Sequence, residues 1–350
     1  MEVKALKFGG LTAKRPIVQG GMGVGVSLSS LAGNVAKCGG VGTISGVHPG
    51  YREADFKENP FRANLRAIGN ELEKAKKIAN GGIIGFNFMT VMNHYEEYVK
   101  EAIAAGADFI VSGAGLPVNL AKYAAGTRAA ILPIVSSARA LKLIVKQWQR
   151  ADRLPDAVVV EGPLAGGHLG YPYGHLVDGT FDTLEDSLVD VVDYVRELEE
   201  KNGVKIPVIA GGGVRNHADM ERLMALGASG VQVGTKFVAT EECDAAPAFK
   251  QAYLRSRKED VQLIESPVGL AARAIRNSFL GKVEKQGRIP VQRCYQCMNH
   301  CKQAETKYCI SQALIDAVQG REGLVFCGAN AYEIEKLSTV EKVMQELCGE

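Results

Sequence analysis

The stretch Pro207–Phe237, PVIAGGGVRNHADMERLMALGASGVQVGTKF, decides the fold. It opens on PVIAGG (Pro207–Gly212), an apolar run with no polar alternation, as expected of a parallel strand buried on both faces. A helical pattern, HADMERLMALGA, follows. A second buried run, GVQVGT (Gly230–Thr235), closes the stretch. Each run ends in glycines, which mark tight turns or close approach of backbone to a ligand.

The same alternation extends back to the start of the chain. The earlier runs are RPIVQGG (Arg15–Gly21), VGTISG (Val41–Gly46) and GIIGFNF (Gly82–Phe88). FIVSG (Phe109–Gly113), ILPIVSS (Ile131–Ser137) and AVVVEG (Ala157–Gly162) complete the set. Helical patterns such as NHYEEYVKEAIAAGA separate them, and DTLE (Asp182–Glu185) reads as a capping box after strand six. Eight βα units in series predict an α/β fold, a (β/α)8 TIM barrel, rather than an open sheet. The barrel is expected to be complete by Phe237, giving a domain over 1–243. Residues 244–350 would form a C-terminal helical, Cys-rich extension, charged and helical from Asp244 to Lys285. Two long inserts, His48–Pro60 after strand two and Ala165–Thr180 after strand six, are long enough to be functional.

Composition narrows the function. The 350 residues are 46% hydrophobic and 23% charged, with 40 glycines and a net charge of +2. That balance predicts neither nucleic-acid nor membrane partners. No apolar run approaches a spanning length and no signal-peptide pattern is visible, which leaves the cytoplasm as the expected location.

In barrels of this type a phosphate commonly binds where the loops after strands seven and eight meet a helix start. AGGGV (Ala210–Val214) and QVGTKF therefore predict a phosphate site at Gly211, Gly212, Gly213, Gly234 and Thr235. QGGMG (Gln19–Gly23) puts Met22 at the barrel mouth, where it could lie against a flat ring or simply pack in the core. In EGPLAGGHLG, His168 follows two glycines at the mouth and can exchange a proton near neutral pH. Glu161 is expected to orient that loop. Tyr173 and His175 are further along the insert, as pocket or surface residues, and His94 and His217 read as structural.

RPIVQGGMG, GFNFM, SGAGLP, the AGGH loop, IAGGGV and GVQVGTKFVATEE resemble, in order, the nitronate monooxygenases and the related FMN-dependent enoyl-ACP reductase II enzymes. The resemblance implies FMN and a small-molecule substrate. It places Gly21, Met22 and Asn87 at the flavin ring and ribityl chain, and Ser112, Gly113, Ala114 and Ser136 around them. Glu161, Gly166, Gly167, Gln232 and Gly328 (in the late run GLVFCGAN) join the flavin-binding set, and His168 is implied as the catalytic or substrate-facing residue. Three functions remain open: oxidation of a nitronate or nitroalkane, reduction of an activated C=C bond in an enoyl thioester, and flavin or metal binding without turnover. Reduction would draw on NAD(P)H or on a ferredoxin or flavodoxin as electron donor. A homodimer is also open.

Six of the eight cysteines fall beyond residue 290. RCYQCMNHCKQAETKYCISQAL has the spacing C-x2-C-x3-C-x7-C at Cys294, Cys297, Cys301 and Cys309. Four thiolates in so short a span suit a metal centre, and clustering in a cytosolic chain argues against disulfides. All-sulfur ligation suits an iron–sulfur cluster or zinc; zinc ribbons favour two separated C-x2-C knuckles. The spacing resembles the [4Fe–4S] motif of 2,4-dienoyl-CoA reductase-like enzymes. A [4Fe–4S] cluster is the first expectation, with zinc or free thiols as alternatives and Cys327 as an extra ligand. Cys38 reads as a small hydrophobe at a helix end; Cys243 and Cys348 carry no signal.

Overall fold

The computed structural model describes residues 4–298 and 301–350. Among them, eight parallel strands close into a barrel. In chain order they are β1 (Ile17–Gln19), β2 (Val41–Ser45), β3 (Ile83–Met89), β4 (Phe109–Gly113), β5 (Ala130–Val135), β6 (Val158–Glu161), β7 (Val208–Gly211) and β8 (Gly230–Val233). Each lies within or beside its predicted run. Closure is made by β8 against β1, with Val231 opposite Ile17 and Val233 opposite Gln19.

The apolar runs are continuous because both strand faces are covered. On β6, Val159 joins the barrel interior, while Val158 and Val160 face the helix layer. On β7, Ile209 points inward, and Val208 and Ala210 outward. This is the two-residue period of a strand with apolar matter on either side. A short hairpin, Leu6–Phe8 with Leu11–Ala13, plugs the N-terminal end of the barrel. There Phe8 meets Phe109 edge-on at 6.0 Å. The sequence reading missed this hairpin, whose two strands have three residues each.

The region after residue 243 is less helical than expected. Helices Pro247–Arg255 and Ser278–Gln286 flank a β-hairpin, Val261–Glu265 with Ala271–Ile275. That hairpin adds Gly167–Leu169, from the insert after β6, as its third strand. The eight barrel strands are complete by Val233, just before Phe237. The last helix, Val340–Cys348, packs between Ser29–Lys37 and His217–Ala225 and adds to the outer helical layer. Asp244 ties the extension to the barrel: its carboxylate accepts from the N–H groups of Leu28 (2.8 Å), Leu31 (3.1 Å) and Ser30 (3.2 Å) at the start of Ser29–Lys37. The capping box after β6 is real but shifted by one residue, with Thr183 as the cap and Asp186 as its partner. Among the described residues no helix is long and apolar enough to cross a membrane.

Candidate active site

At the C-terminal ends of the strands lies a cavity of about 460 Å³. That is within the roughly 300–1,000 Å³ typical of cofactor pockets. From β1 come Gly21 and Met22, from β3 Asn87, and from the end of β4 Gly113 and Ala114. A Cβ on Gly21 would stand 2.3 Å from Asn87 Cβ, so only glycine lets the loop after β1 meet β3 here. The loop after β6 adds Glu161, Gly166, Gly167 and His168. Gly166 is wedged against the Cys327–Gly328 backbone, where a Cβ would meet Cys327 C at 2.6 Å.

The end of the cavity expected to hold phosphate is lined by Gly212, Gly213, Gln232, Gly234, Thr235 and Gly328. Gly212 and Gly213 have φ of +100° and +89°, which a side chain would strain, and a Cβ on Gly212 would meet the Gly162 carbonyl at 3.0 Å. The Gly328 N–H donates to Thr235 Oγ1 at 3.1 Å, joining the late glycine turn to the loop after β8. Arg215 and Lys236 bring positive charge to the same cavity. Lys236 is paired with Glu346 at 2.8 Å and Arg215 with Asp219 at 2.9 Å. Glu333 and Glu346 line the cavity as well, so it is the bare-backbone cradle, and not a surplus of cations, that fits a phosphate monoester.

Three expected residues lie elsewhere. Ser112 is buried and points outward: it donates to the Phe88 carbonyl at 2.7 Å and accepts from the Tyr95 hydroxyl at 2.8 Å. Its neighbour Val111 takes the inward position, and successive side chains on a strand alternate. Gly211 is still in the sheet, its carbonyl accepting from Gly162 N at 2.9 Å, so the cradle starts one residue later. Ser136 lies beyond β5 in the wall of a second, adjoining cavity, donating to the Gly170 carbonyl at 3.1 Å.

The second cavity, of about 990 Å³, shares Ala114, Ile134, Glu161 and His168 with the first. Tyr173 lines it; His175 lines neither cavity. His94 sits against Phe61, with ring centroids 4.1 Å apart, and His217 donates from Nδ1 to the Leu347 carbonyl at 2.9 Å.

His168 is fixed by residues far along the chain. It lies opposite Ala272 in the three-stranded sheet, and its Nε2 shares a 2.8 Å hydrogen bond with Ser266 Oγ in the hairpin turn. Phe326 meets the ring edge-on at 5.0 Å. Arg273, buried in the same hairpin, donates to the Ala165 carbonyl and pins the loop before His168. Sequence reasoning missed Ser266 and Arg273, because nothing local ties them to a loop some hundred residues earlier; Phe326 falls in the run GLVFCGAN, of which only Gly328 was singled out. Burial pulls the His168 imidazole down to about 4 and pushes the Glu161 carboxyl up to about 7. At neutral pH the histidine is therefore uncharged, and Glu161 is poised between its two forms.

The four cysteines of the late motif line one small cavity together with Tyr295, Met298 and Tyr308. Among the described residues no three His, Cys, Asp or Glu side chains are set to hold a single metal ion. Cys327 lines the first cavity instead, so it does not join them; burial pushes its thiol up to about 12. Cys38 caps the end of helix Ser29–Lys37.

A family model described as nitronate monooxygenase matches residues 4–350. A protein of Staphylococcus saprophyticus described as "Probable nitronate monooxygenase" is 26% identical over 314 residues, 83% of this chain and 84% of its own. The fold is shared with FabK of Thermotoga maritima, with a TM-score of 0.71 and 24% identity over 96% of this chain and 92% of that one. It is also shared with a nitroalkane oxidase of Streptomyces ansochromogenes, with a TM-score of 0.68 and 19% identity over 97% and 96% of the two chains. The chain thus belongs to the nitronate monooxygenase family and is an FMN-dependent oxidoreductase built on a (β/α)8 barrel.

Proposed function

We propose that this chain holds FMN in the first cavity and oxidises a small nitronate or nitroalkane, with His168 handling the substrate proton. In this reading Gly212, Gly213, Gly234 and Thr235 hold the phosphate, and Gly21, Met22 and Asn87 border the ring. The bound flavin supplies a two-electron acceptor that dioxygen can reoxidise. The chain's own groups do the rest.

One observation carries the proposal. His168 is an uncharged imidazole in the wall common to both cavities, and its Nε2 is held 2.8 Å from Ser266 Oγ. A neutral imidazole can take an α-proton from a nitroalkane or accept a hydrogen bond from bound substrate. The Ser266 contact fixes the ring plane, so one nitrogen is committed to the protein and the other is left for chemistry. Phe326 and Met22 add apolar wall that limits water around the reacting carbon. Oxygen uptake with propionate 3-nitronate, measured on flavin-loaded protein, tests the reading. Absence of uptake at any substrate concentration overturns it.

A second reading, reduction of an activated C=C bond, is favoured by the size of the second cavity. Its roughly 990 Å³ run from Glu161 and His168 out to Lys302 and Lys307, more room than a small nitronate needs. Glu161, uncharged in part at neutral pH, could then supply the proton for the α-carbon. Loss of enoyl-thioester absorbance dependent on NAD(P)H or on reduced ferredoxin or flavodoxin separates this reading from the first. A second redox centre at Cys294, Cys297, Cys301 and Cys309, a [4Fe–4S] cluster with zinc as the alternative, belongs with the reductive reading.

A further inference from the structure

Resting on the reductive reading above, we propose that Cys294, Cys297, Cys301 and Cys309 bind a [4Fe–4S] cluster, with Asn64, His48 and Ser311 as a hydrogen-bonded chain that positions Cys297. Four sulfurs face one small cavity from a single loop and the start of helix Ile310–Val318.

The donors around these sulfurs carry the inference. The Gln296 N–H donates to Cys294 Sγ at 3.4 Å. Cys309 stands at the N-cap of helix Ile310–Val318, beside the free N–H groups of its first turn. The Ser311 hydroxyl is within hydrogen-bond reach of Cys297. An N–H on Cys294, a helix start at Cys309 and a hydroxyl near Cys297 make surroundings that suit thiolates bearing negative charge.

Behind Ser311 the polarity of the chain is fixed. The Gly50 N–H donates to Asn64 Oδ1 at 3.1 Å, which turns the Asn64 amide nitrogen toward His48 Nδ1, 3.3 Å away. Nδ1 therefore accepts, and Nε2 carries the hydrogen that it donates to Ser311 Oγ at 2.8 Å. Ser311 is left to donate to Cys297. His48 and Ser311 are buried, and Phe56 and Tyr295 pack edge-on to the imidazole at 5.3 and 6.2 Å. A buried relay of donors ending on a sulfur is the outer shell of a ligated thiolate; a neutral thiol needs none.

The sequence spacing favours the cluster over zinc: C-x2-C-x3-C-x7-C compresses three cysteines, whereas zinc ribbons use two separated C-x2-C knuckles. All four cysteines border the same small cavity. Cys301 also borders the second cavity, which Glu161 and His168 share with the flavin site, so the centre would lie beside the active cavity.

The test is anaerobic purification of the full chain, with iron, acid-labile sulfide, zinc and flavin measured on one sample. About four iron and four sulfide per chain, with broad absorption near 400 nm, are expected. Cys309→Ser should lose both iron and that absorption while keeping its flavin. Ser311→Ala should retain the iron but release it to a chelator several-fold faster, which a purely packing role would not produce. One zinc per chain, or a metal-free protein whose four thiols are alkylated in the native state, overturns the cluster. Flavin content reports on the barrel site separately: a yellow, iron-free protein sinks the cluster alone, and a brown, flavin-free one sinks the flavin proposal alone.

Discussion

His168 and Ser266 are 98 residues apart in sequence and 2.8 Å apart in space. The mouth of the barrel thus takes His168 from the insert after β6, and that histidine's orientation from the hairpin beyond β8. Ser266→Ala removes the contact that fixes the ring. It is expected to lower kcat about tenfold, the equivalent of one hydrogen bond, with flavin content unchanged. Steady-state kinetics on flavin-matched samples read it; an unaltered kcat contradicts the positioning role.

Glu161 and His168 have opposing effects on stability across overlapping pH ranges. The folded carboxyl of Glu161 titrates near 7 against 4.5 for the ordinary group, so the native state binds the extra proton. Stability from Glu161 is therefore present below about 4.5 and is lost as pH rises to about 7. His168 titrates near 4 when folded against 6.5 unfolded, so its contribution is lost as pH falls from about 6.5 to about 4. Glu161→Gln removes the first effect alone. Its Tm relative to the parent is expected to rise steadily from pH 4.5 to 7, and a difference that does not change with pH contradicts the buried-carboxyl assignment.

Gly212 combines φ of +100° with backbone on its open side. Gly212→Ala is expected to cost about 1–3 kcal/mol of strain and to weaken flavin retention on dilution, read by flavin fluorescence. Retention equal to the parent's would move the phosphate away from this loop.

Asp244→Ala strips three N–H groups at the start of Ser29–Lys37 of their acceptor. A stability loss of about 1–2 kcal/mol is expected in urea unfolding. A smaller loss would mean that the extension is not anchored there.

The barrel was legible because its strands are buried on both faces, which leaves uninterrupted apolar runs punctuated by glycine. The strand-end placement of Gly212, Gly213, Gly234 and Thr235 was legible for the same reason, since they close runs such as AGGGV. Ser112 was misplaced because motif order carries no strand parity, and Val111 already claims the inward position. Ser266 and Arg273 gave no signal, since a serine in a turn and an arginine in a short strand look ordinary until the chain returns to the barrel. The hairpin Val261–Ile275 read as helix because it lies within the charged stretch Asp244–Lys285, whose flanking segments Pro247–Arg255 and Ser278–Gln286 are helical. His48 opened an insert of no evident chemistry, and only the fold brings it under Ser311 and Cys297.

The most direct measurement is turnover by His168→Ala with its flavin in place. The account predicts a protein that keeps stoichiometric flavin and loses at least about a hundredfold in kcat on a nitroalkane substrate. A flavin-replete variant that turns over at the parent's rate would contradict it.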